Sequence, residues 1–354
     1  MYAWSQNDSI ELTCLKKWQE TPDTVSLELG CKHSEMIFDF KPGQFITLGL
    51  TMPSKRDYRA YSVSSIPGGR SLKLTIKRVE GGAVSNYIVD HLDEGDDVDV
   101  LKPAGRFNSI DCPPTASNKV TLISGGCGIT PVMAMAQHWL STNADVEIDF
   151  IHMARNKEQT IYYYELLKLS ENHDNFNLKL LLKDNSDTQF PQGRLNKEWL
   201  QTLCPDIKSR TVYLCGPVGF MKDVEHYLEQ MEFDMSAFFQ ESFTPDFDSP
   251  TPLDSAIEHA KPMTENETVK VMVPSFGVEM DVDKETALID ALEKGGVPVI
   301  AACRSGICGS CKCKVTKGSV SSSSVETLTE REIEDGFVLA CSSIVSGDVE
   351  IALN

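Results

Sequence analysis

The sequence is poor in positive charge. Its 33 lysine and arginine residues stand against 52 aspartate and glutamate residues, and the formal net charge is −19 over 354 residues. A surface of that sign repels phosphate backbones and anionic lipids, so the composition argues against binding to nucleic acid or to membranes. Hydrophobic residues make up 41% of the chain. That is ordinary globular usage, and it excludes a wholly disordered protein.

Long hydrophobic runs are missing as well. No apolar segment reaches the ~18 residues of a membrane-spanning helix, and the opening stretch MYAWSQNDSIELT has no apolar signal core. We therefore expect a soluble, cytoplasmic protein that binds neither nucleic acid nor membrane. We also expect it to be a monomer.

Cysteine, by contrast, is plentiful. The chain has 11 cysteines, and five of them lie close together near its C-terminal end: Cys303, Cys308, Cys311, Cys313 and Cys341. Disulfides are disfavoured in a reducing compartment, where clustered cysteines instead bind metal or carry redox chemistry.

The hydrophobic pattern changes along the chain and predicts several domains. Residues 1–112 alternate apolar and polar positions between frequent turn signals, which predicts an antiparallel β-barrel. Residues 113–243 alternate short apolar strands with helical segments, which is typical of a doubly wound α/β fold around a parallel sheet. Residues 244–266 are acidic and contain several prolines, as linkers do, and we expect this linker to let the last domain move. Ordered patterning resumes over residues 267–354.

The cysteine spacing in the last domain predicts an iron–sulfur cluster. Cys303, Cys308, Cys311 and Cys341 form C-x4-C-x2-C-x29-C, the arrangement of plant-type [2Fe–2S] sites. Gly306 and Gly309 would let the backbone approach the cluster closely. A zinc site and a metal-free set of buried cysteines are the alternatives, although zinc prefers paired C-x2-C halves. We interpret the fifth thiol, Cys313, as a packing residue on a strand face.

Two groups of residues in the first domain favour a phosphate-bearing aromatic cofactor. Arg59, Tyr61 and Ser62 offer a guanidinium, an aromatic face and a small hydroxyl within one short segment. Gly82 and Ser85 frame a candidate helix start, where backbone N–H groups can bind a pyrophosphate. The first segment alone is a weak motif.

Two glycine-containing loops in the second domain each follow a strand and precede a helix. The first loop contains Gly125, Gly126, Gly128 and Thr130, and the second contains Cys215, Gly216 and Pro217. Such strand-to-helix turns can hold the pyrophosphate of a dinucleotide. The first loop is not a strict G-x-G-x-x-G, so the fingerprint alone is weak.

Taken in order, these motifs resemble the ferredoxin-NADP⁺ reductase superfamily, followed by a plant-type ferredoxin module of the β-grasp type. The resemblance implies that Arg59 pairs with a flavin phosphate, that Tyr61 lies against the isoalloxazine and that Ser62 reaches toward its N5. It implies FAD rather than FMN. It also implies roles at the dinucleotides for Gly82, Ser85, Gly125, Gly126, Gly128, Thr130, Cys215, Gly216 and Pro217, with Phe243 near the flavin face; for Phe243 a plain core position is the alternative.

Four further residues near the predicted nicotinamide site have two interpretations each. His152 and Cys127 are interpreted as packing residues. Arg155 and Lys157 follow the second strand of the sheet, where selectivity for the adenosine ribose is set. They can recognise the 2′-phosphate of NADPH, but basic residues in a surface loop more often have no such role, and we favour NADH.

Three cofactor signatures in one chain predict an NAD(P)H-dependent oxidoreductase that transfers electrons. A nicotinamide gives two electrons as hydride, a [2Fe–2S] cluster takes one at a time, and a flavin couples the two. We expect transfer from NADH to FAD, to the cluster and then to a redox partner protein. No catalytic acid, base or nucleophile is expected.

The partner is predicted from resemblance only. Over nearly its whole length the chain is similar to the NADH oxidoreductases that reduce hybrid-cluster proteins, above all in VPVIAACRSGICG and GFVLACS. This implies a hybrid-cluster protein as partner, reducing nitric oxide or hydroxylamine. Reductases of ring-hydroxylating oxygenases and fatty-acyl desaturases share the domain order and are the alternative. A flavin–cluster redox sensor is the alternative of another class, and the lack of an output module counts against it.

Overall fold

The computed structural model describes residues 9–32, 36–52, 56–115, 117–243, 268–301, 304, 306, 308–325 and 327–353. The chain divides between residues 244 and 245 into two compact units, and each is described by itself. The predicted linker 244–266 lies outside the described residues. The domain boundaries that the sequence predicts, at 112/113 and at both ends of the linker, remain predictions.

The N-terminal unit begins with an antiparallel barrel, as predicted. Its strands are β1 (Ser9–Thr21), β2 (Thr24–Gly30), β3 (Phe45–Thr51), β4 (Arg56–Ser62), β5 (Ser71–Lys77) and β6 (Asp97–Ala104), and a helix α1 (Ala83–His91) follows β5. The strand order is β4-β3-β6-β1-β2-β5, with every pair antiparallel. A bridge between Val63 and Leu74 joins the two edge strands and so closes the sheet.

The alternation seen in the sequence explains the barrel core. In β5, Leu72, Leu74 and Ile76 are fully buried, whereas the residues at both ends of the strand are partly exposed. Successive side chains of a strand point to opposite faces, so a period of two places every second residue inside.

The second half of the N-terminal unit is a parallel sheet, also as predicted. Its strands are β7 (Lys119–Gly125), β8 (Glu147–Ala154), β9 (Phe176–Leu182), β10 (Thr211–Cys215) and β11 (Phe238–Glu241). Its helices are α2 (Ile129–Ser141), α3 (Tyr163–Asn172), α4 (Lys197–Leu203) and α5 (Val218–Gln230). The order is β11-β10-β7-β8-β9, with all pairs parallel.

This strand order creates a natural binding edge. The chain runs outward from β7 to β9 on one side and then returns to place β10 on the other side of β7. Ligands of open α/β sheets bind at such a reversal, beside the carboxyl ends of the two central strands. Both faces of the sheet are covered, with Leu122 and Phe150 in one apolar cluster and Ile123 and Leu214 in another, which explains the continuous apolar runs.

The C-terminal unit has the predicted β-grasp-type fold. Its strands are β12 (Thr268–Val273), β13 (Val278–Asp283), β14 (Lys312–Lys317), β15 (Val320–Ser322), β16 (Phe337–Leu339), β17 (Ser343–Val345) and β18 (Val349–Leu353), with helices α6 (Leu288–Lys294) and α7 (Glu330–Glu334). The main sheet has the order β13-β12-β18-β14-β16, in which only β12 and β18 are parallel. Helix α6 contributes Leu288 and Leu292 to the core.

Among the described residues, no helix is both long enough and apolar enough to cross a membrane.

Candidate cofactor-binding sites

Arg59 lies on β4 with part of its guanidinium already bonded. Its Nη1 donates to Asp57 Oδ1 at 2.9 Å and to the Tyr58 carbonyl at 2.6 Å, and its side chain is 37% exposed. Because both bonds use Nη1, Nη2 and Nε can still donate to a phosphate. The geometry therefore suits the phosphate role that resemblance implies.

The end of β4 presents a phenol and a buried hydroxyl. Tyr61 packs against the barrel core, and burial raises the pKa of its hydroxyl, so the phenol stays neutral. Ser62 is only 4% exposed, and its Oγ has no hydrogen-bond partner among the described residues. Buried hydroxyls are normally bonded, so an orphaned one fits a position where a ligand supplies the partner.

The start of α1 is open for an anion. Gly82 is the N-cap residue, and because it has no side chain it cannot accept hydrogen bonds from the N–H groups of the first turn as a capping side chain would. Its missing side chain leaves room, since a Cβ there would stand 2.6 Å from the Ser85 Oγ. The unsatisfied N–H groups and the helix dipole favour a phosphate at this end.

The two glycine loops of the parallel sheet lie against each other. Gly125 ends β7 and pairs with Met153 of β8, and Gly126 has a left-handed backbone with φ +56°. A Cβ at Gly128 would overlap the carbonyl oxygen of Cys215. Gly216 approaches the Gly125 nitrogen closely, since a Cβ on Gly216 would lie 3.3 Å from it. Only glycine permits this approach, so the loops form one edge at the strand reversal.

Thr130 and Cys127 are held by bonds within this edge. The Thr130 hydroxyl donates to the Cys127 carbonyl at 3.0 Å and is buried at the start of α2. The Cys127 thiol donates to the Thr75 carbonyl on β5 of the barrel, at 3.4 Å. Burial raises the pKa of Cys127 to about 11, so it is a thiol in a packing contact, in agreement with the packing interpretation.

Glu241 is a site residue that sequence reasoning did not single out. It pairs with Cys215 across β10 and β11, at the carboxyl end of the sheet, and is 7% exposed. Its Oε1 lies 3.7 Å from where a Cβ of Gly105 would stand, so the carboxyl also faces the barrel. Its Oε2 has no partner among the described residues, and burial raises its pKa to about 8. The sequence signal that could have pointed to Glu241 is a charged residue at the end of a short strand that begins with two phenylalanines.

Phe243 and Pro217 complete the predicted flavin and nicotinamide residues. Phe243 is 46% exposed, so the alternative of a core phenylalanine is wrong, and its place near a flavin remains a prediction. Pro217 is the N-cap residue of α5, beside Gly125. Burial raises the pKa of Cys215 well above its usual range, so this thiol is protonated and is not a nucleophile.

His152 and Lys157 have structural contacts of their own. His152 is fully buried on β8, its Nδ1 lies 2.8 Å from the Ser124 Oγ, and burial lowers its pKa to about 3. It is therefore a neutral core residue, as interpreted. The Lys157 ammonium lies 5.5 Å from the ring centre of Tyr163 and 6.0 Å from that of Tyr164, so it is engaged with aromatic faces.

Two of the predicted cluster ligands meet in the C-terminal unit. The Sγ atoms of Cys311 and Cys341 are 3.3 Å apart, much farther than the ~2.05 Å of a disulfide, and close enough to share a metal. The Gly306 N–H donates to Cys341 Sγ at 3.2 Å, and the Cys341 N–H donates to Cys311 Sγ at 3.4 Å. Backbone donors of this kind stabilise metal-bound thiolates. Cys308 is partly exposed, and Cys303 lies outside the described residues.

The loop that carries these cysteines is held by its glycines and by one arginine. Gly306 and Gly309 have φ of +73° and +74°, which favours glycine at both positions, as expected. Arg304 bonds Asp290 at 3.0 Å and Glu293 at 2.5 Å on α6. The loop is thus anchored to the helix beside it.

Cys313 and a group of two aspartates with a cysteine in the N-terminal unit have structural contacts of their own. Cys313 is fully buried on β14, and burial raises its pKa to about 12, as expected for a strand-face residue. Asp149, Cys204 and Asp206 also lie within 4.8 Å of one another. Lys179 and Arg210 already neutralise those carboxylates, at 2.6 Å and 2.7 Å respectively, so this group is an internal ion network.

The two units together define a class of protein. Orphaned buried polar atoms and an anion-binding helix start fit a flavin, the paired glycine loops fit a nicotinamide dinucleotide, and the cysteine loop fits a [2Fe–2S] cluster. The chain is an iron–sulfur flavoprotein oxidoreductase that uses FAD and a nicotinamide nucleotide.

Comparisons with known proteins give the family. The chain matches the oxidoreductase FAD-binding domain over residues 11–109, the oxidoreductase NAD-binding domain over 122–226 and the 2Fe-2S iron-sulfur cluster binding domain over 272–346. It is 36% identical to the glycine betaine monooxygenase reductase subunit of Pseudomonas aeruginosa, covering 96% of this chain and 93% of that protein. It is 33% identical to the Escherichia coli NADH oxidoreductase HCR, covering 94% of each.

A solved structure supports the same fold. Phthalate dioxygenase reductase, described as a modular structure for electron transfer from pyridine nucleotides to [2Fe–2S], superposes with a TM-score of 0.64 at 22% identity and covers 98% of both chains. The chain therefore belongs to the ferredoxin-NADP⁺ reductase-type family of FAD-, NAD- and [2Fe–2S]-binding reductases.

Proposed function

We propose that this protein takes hydride from NADH, releases the proton, and delivers the two electrons one at a time through its cluster to a separate redox protein. The observation that carries the proposal is the combination within one chain. The N-terminal unit has an edge built for a flavin and a nicotinamide, and the C-terminal unit has two cysteine sulfurs 3.3 Å apart with backbone donors on both. When bound, FAD accepts an electron pair as hydride and releases it one electron at a time.

The N-terminal unit contributes binding and proton control. The first turn of α1 and the Arg59 guanidinium bind phosphate oxygens by charge and N–H donation. The two glycine loops remove side-chain bulk from the edge where the nicotinamide would lie. Glu241, with its pKa near 8 from burial, keeps a proton on its carboxyl at neutral pH, at the point where the two loops and the barrel end meet.

The C-terminal unit contributes the tuning of the cluster. The Gly306 and Cys341 amides donate to the cysteine sulfurs and so stabilise the added negative charge of a reduced cluster. Ser324 holds the loop in turn, because its Oγ donates to the Gly306 carbonyl at 2.8 Å. The four thiolate ligands proposed are Cys303, Cys308, Cys311 and Cys341.

NADH is the proposed electron donor. The Lys157 ammonium lies over the Tyr163 and Tyr164 rings, and a cation engaged in this way is not directed at a 2′-phosphate. The neighbouring Arg155 is exposed. The Lys157 contact supports a preference for NADH over NADPH.

A hybrid-cluster protein is our first candidate for the acceptor, with reduction of nitric oxide or hydroxylamine as the outcome. It is supported by the amino-acid sequence around the cysteine motif and by the 33% identity to NADH oxidoreductase HCR. The second candidate is the oxygenase component of a monooxygenase. It is favoured by the 36% identity to a reductase subunit of glycine betaine monooxygenase.

One experiment tests the route and separates the acceptors. The purified, cofactor-loaded protein is titrated anaerobically with NADH and, separately, with NADPH, and flavin absorbance and the low-temperature EPR signal of the cluster are recorded. We expect NADH to bleach the flavin and to produce a rhombic cluster signal. Bleaching without that signal would overturn electron transfer to the cluster.

The reduced protein is then mixed with purified hybrid-cluster protein or with a monooxygenase oxygenase component. Fast reoxidation of the cluster by only one of them identifies the acceptor. Slow reoxidation by both, with slow turnover of artificial acceptors such as ferricyanide, would instead favour the redox-sensor alternative.

A further inference from the structure

Tyr162 joins the barrel to the parallel sheet through a buried hydroxyl. The residue immediately precedes α3 and is 2% exposed. Its hydroxyl is bonded to the Thr75 Oγ1 on β5. Burial raises its pKa well above 10, so the group remains a neutral phenol that can donate. No role was predicted for this residue from the sequence.

The contacts of Tyr162 lie beside both predicted cofactor segments. Thr75 follows Leu74 on β5, and Leu74 is bridged to Val63, the residue directly after Ser62 of the flavin motif. The backbone carbonyl of Thr75 also accepts a hydrogen bond from the Cys127 thiol. Cys127 itself lies between Gly126 and Gly128 in the first nicotinamide loop. Thr75 therefore contacts the Tyr162 hydroxyl through its side chain and the loop that would hold the nicotinamide through its carbonyl.

The contact is reinforced from both sides. On the barrel side, Thr75 Oγ1 also bonds the buried Ser26 hydroxyl at 2.6 Å. Across the junction, the Lys73 ammonium lies 4.1 Å from the centre of the Tyr162 ring and bonds Glu165 on α3 at 3.0 Å. Glu165 is held in turn by Gln137 at 2.6 Å.

The backbone of Tyr162 supports a special role. Its φ of +61° and ψ of +27° place it in the left-handed region, which bulky residues rarely adopt. Such strain persists only where the surroundings over-determine the conformation. Here the ring is packed under Lys73 and the hydroxyl is bonded, so the strained turn delivers the phenol to the barrel.

We propose that Tyr162 is a positioning residue for hydride transfer. Its hydroxyl fixes Thr75, the β5 residue that anchors the nicotinamide loop to the barrel, and so sets the distance between that loop and the flavin motif. The inference rests on the proposed transfer of hydride from NADH to FAD. Reaction rates are very sensitive to this distance, and a displacement of 1 Å caused by a remote substitution can lower the rate by ~100-fold. Binding of NADH depends much less on it, because the loop itself is unchanged.

The test uses the full-length, cofactor-loaded protein and removes single hydroxyls. Tyr162→Phe keeps the ring and its contact with Lys73, and Thr75→Val removes the same bond from the barrel side. Tyr164→Phe, at a residue that is 74% exposed, is the matched control for the first variant. Thr13→Val, which removes a buried barrel hydroxyl bonded to Asp97, is the control for the second.

Anaerobic stopped-flow reduction by NADH separates the rate of flavin bleaching from the apparent Kd of NADH. We expect Tyr162→Phe and Thr75→Val each to slow bleaching by about tenfold, because a displacement of less than 1 Å should lower the rate by less than the ~100-fold of a full 1 Å. The Kd of NADH should stay within about twofold of the wild-type value. The double variant should be no slower than Thr75→Val, because that substitution already removes the bond that Tyr162→Phe removes, together with the bond to Ser26. Bleaching as fast as in Tyr164→Phe, or additive losses in the double variant, would overturn the proposal.

Hydrogen–deuterium exchange gives a readout that needs no NADH. We expect faster amide exchange at residues 125–130 in Tyr162→Phe, with unchanged protection in the strands of the barrel and of the parallel sheet. Uniformly faster exchange across the N-terminal unit would mean a merely structural role and would overturn the proposal. If NADH does not bleach the wild-type flavin, the proposed function fails, while the exchange result still decides whether Tyr162 fixes the loop.

Discussion

The cysteine loop of the C-terminal unit and the flavin–nicotinamide edge of the N-terminal unit are assembled in different ways. Three of the four proposed cluster ligands fall between residues 303 and 311, and the fourth is Cys341. The flavin–nicotinamide edge instead collects residues from separate strands: Ser62 from β4, Gly125 from β7, Cys215 from β10 and Glu241 from β11. One site is local in sequence, and the other exists only where several strands end together.

The difference follows from the demands of the chemistry. A cluster needs soft sulfur ligands at short range, and one loop with glycines can supply most of them. Hydride transfer needs two large cofactors held in a set relation, which requires a barrel and a parallel sheet packed against each other. Substitutions at the loop should therefore act on one cofactor, whereas substitutions at the edge should act on stability and geometry together.

The largest expected effect is at the cysteine loop of the C-terminal unit. Cys311→Ser should abolish the [2Fe–2S] cluster, because a serine hydroxyl replaces a thiolate that lies 3.3 Å from the Cys341 sulfur. Iron content and the visible absorbance of the cluster should fall to background, while FAD content stays as in the wild type. Cys313→Ala, a buried cysteine on β14 in the same unit, should retain the cluster. Full iron content in Cys311→Ser would remove it from the ligand set.

An intermediate effect is expected where the two glycine loops touch. Gly128→Ala would force a methyl group against the Cys215 carbonyl, and we expect it to lower the free energy of unfolding by ~1–3 kcal/mol through overpacking. Gly219→Ala on α5 has nothing within 4 Å and should instead stabilise the helix by ~0.5–1 kcal/mol.

Urea unfolding followed by tryptophan fluorescence measures both glycine variants. The four tryptophans all precede residue 200, so the signal reports on the N-terminal unit alone. Equal stability of Gly128→Ala and wild type would show that the two loops separate easily. It would contradict the expectation that substitutions at the flavin–nicotinamide edge lower stability.

The last expected effect is confined to a range of pH and arises at Glu241. Burial raises the pKa of this carboxyl from 4.5 to about 8, so the folded protein binds the proton more tightly than the unfolded chain does. The contribution of Glu241 to stability is therefore full below pH 4.5 and is lost as the pH rises toward 8, by at most about 1.4 kcal/mol per pH unit.

Glu241→Gln removes this dependence, because the amide does not titrate. Tryptophan-monitored unfolding should show the variant gaining stability relative to wild type between about pH 5 and pH 8. Glu229→Gln, at an exposed position on α5, should follow the wild-type profile. Parallel profiles for Glu241→Gln and wild type would mean that the buried carboxyl is ionised, with a partner outside the described residues.

The fold classes of all three predicted domains could be read from the pattern of the sequence. In β5 the period of two places Leu72, Leu74 and Ile76 inside the barrel, and in the parallel sheet the buried strands are continuous apolar runs. These signals are strong because burial of apolar side chains dominates local folding.

Two residues show where sequence reasoning stopped. Glu241 was passed over because nothing in its sequence neighbours shows that this strand end is buried in the folded protein, and burial is what raises its pKa. Tyr162 stands in a run of three tyrosines that look alike in the sequence. Only one is 2% exposed, whereas Tyr164 is 74% exposed.

The kinds of domain, their order and the chemistry of the cysteine loop follow from the sequence, because periodicity and close spacing are properties of neighbouring residues. The tertiary structure alone decided which polar atoms are buried without partners and which hydroxyl joins the barrel to the sheet. Those properties depend on contacts between residues far apart in the chain, such as Thr75 with Tyr162 and Cys215 with Glu241. Desolvation and distance, which set pKa values and hydride-transfer geometry, arise only when those contacts form.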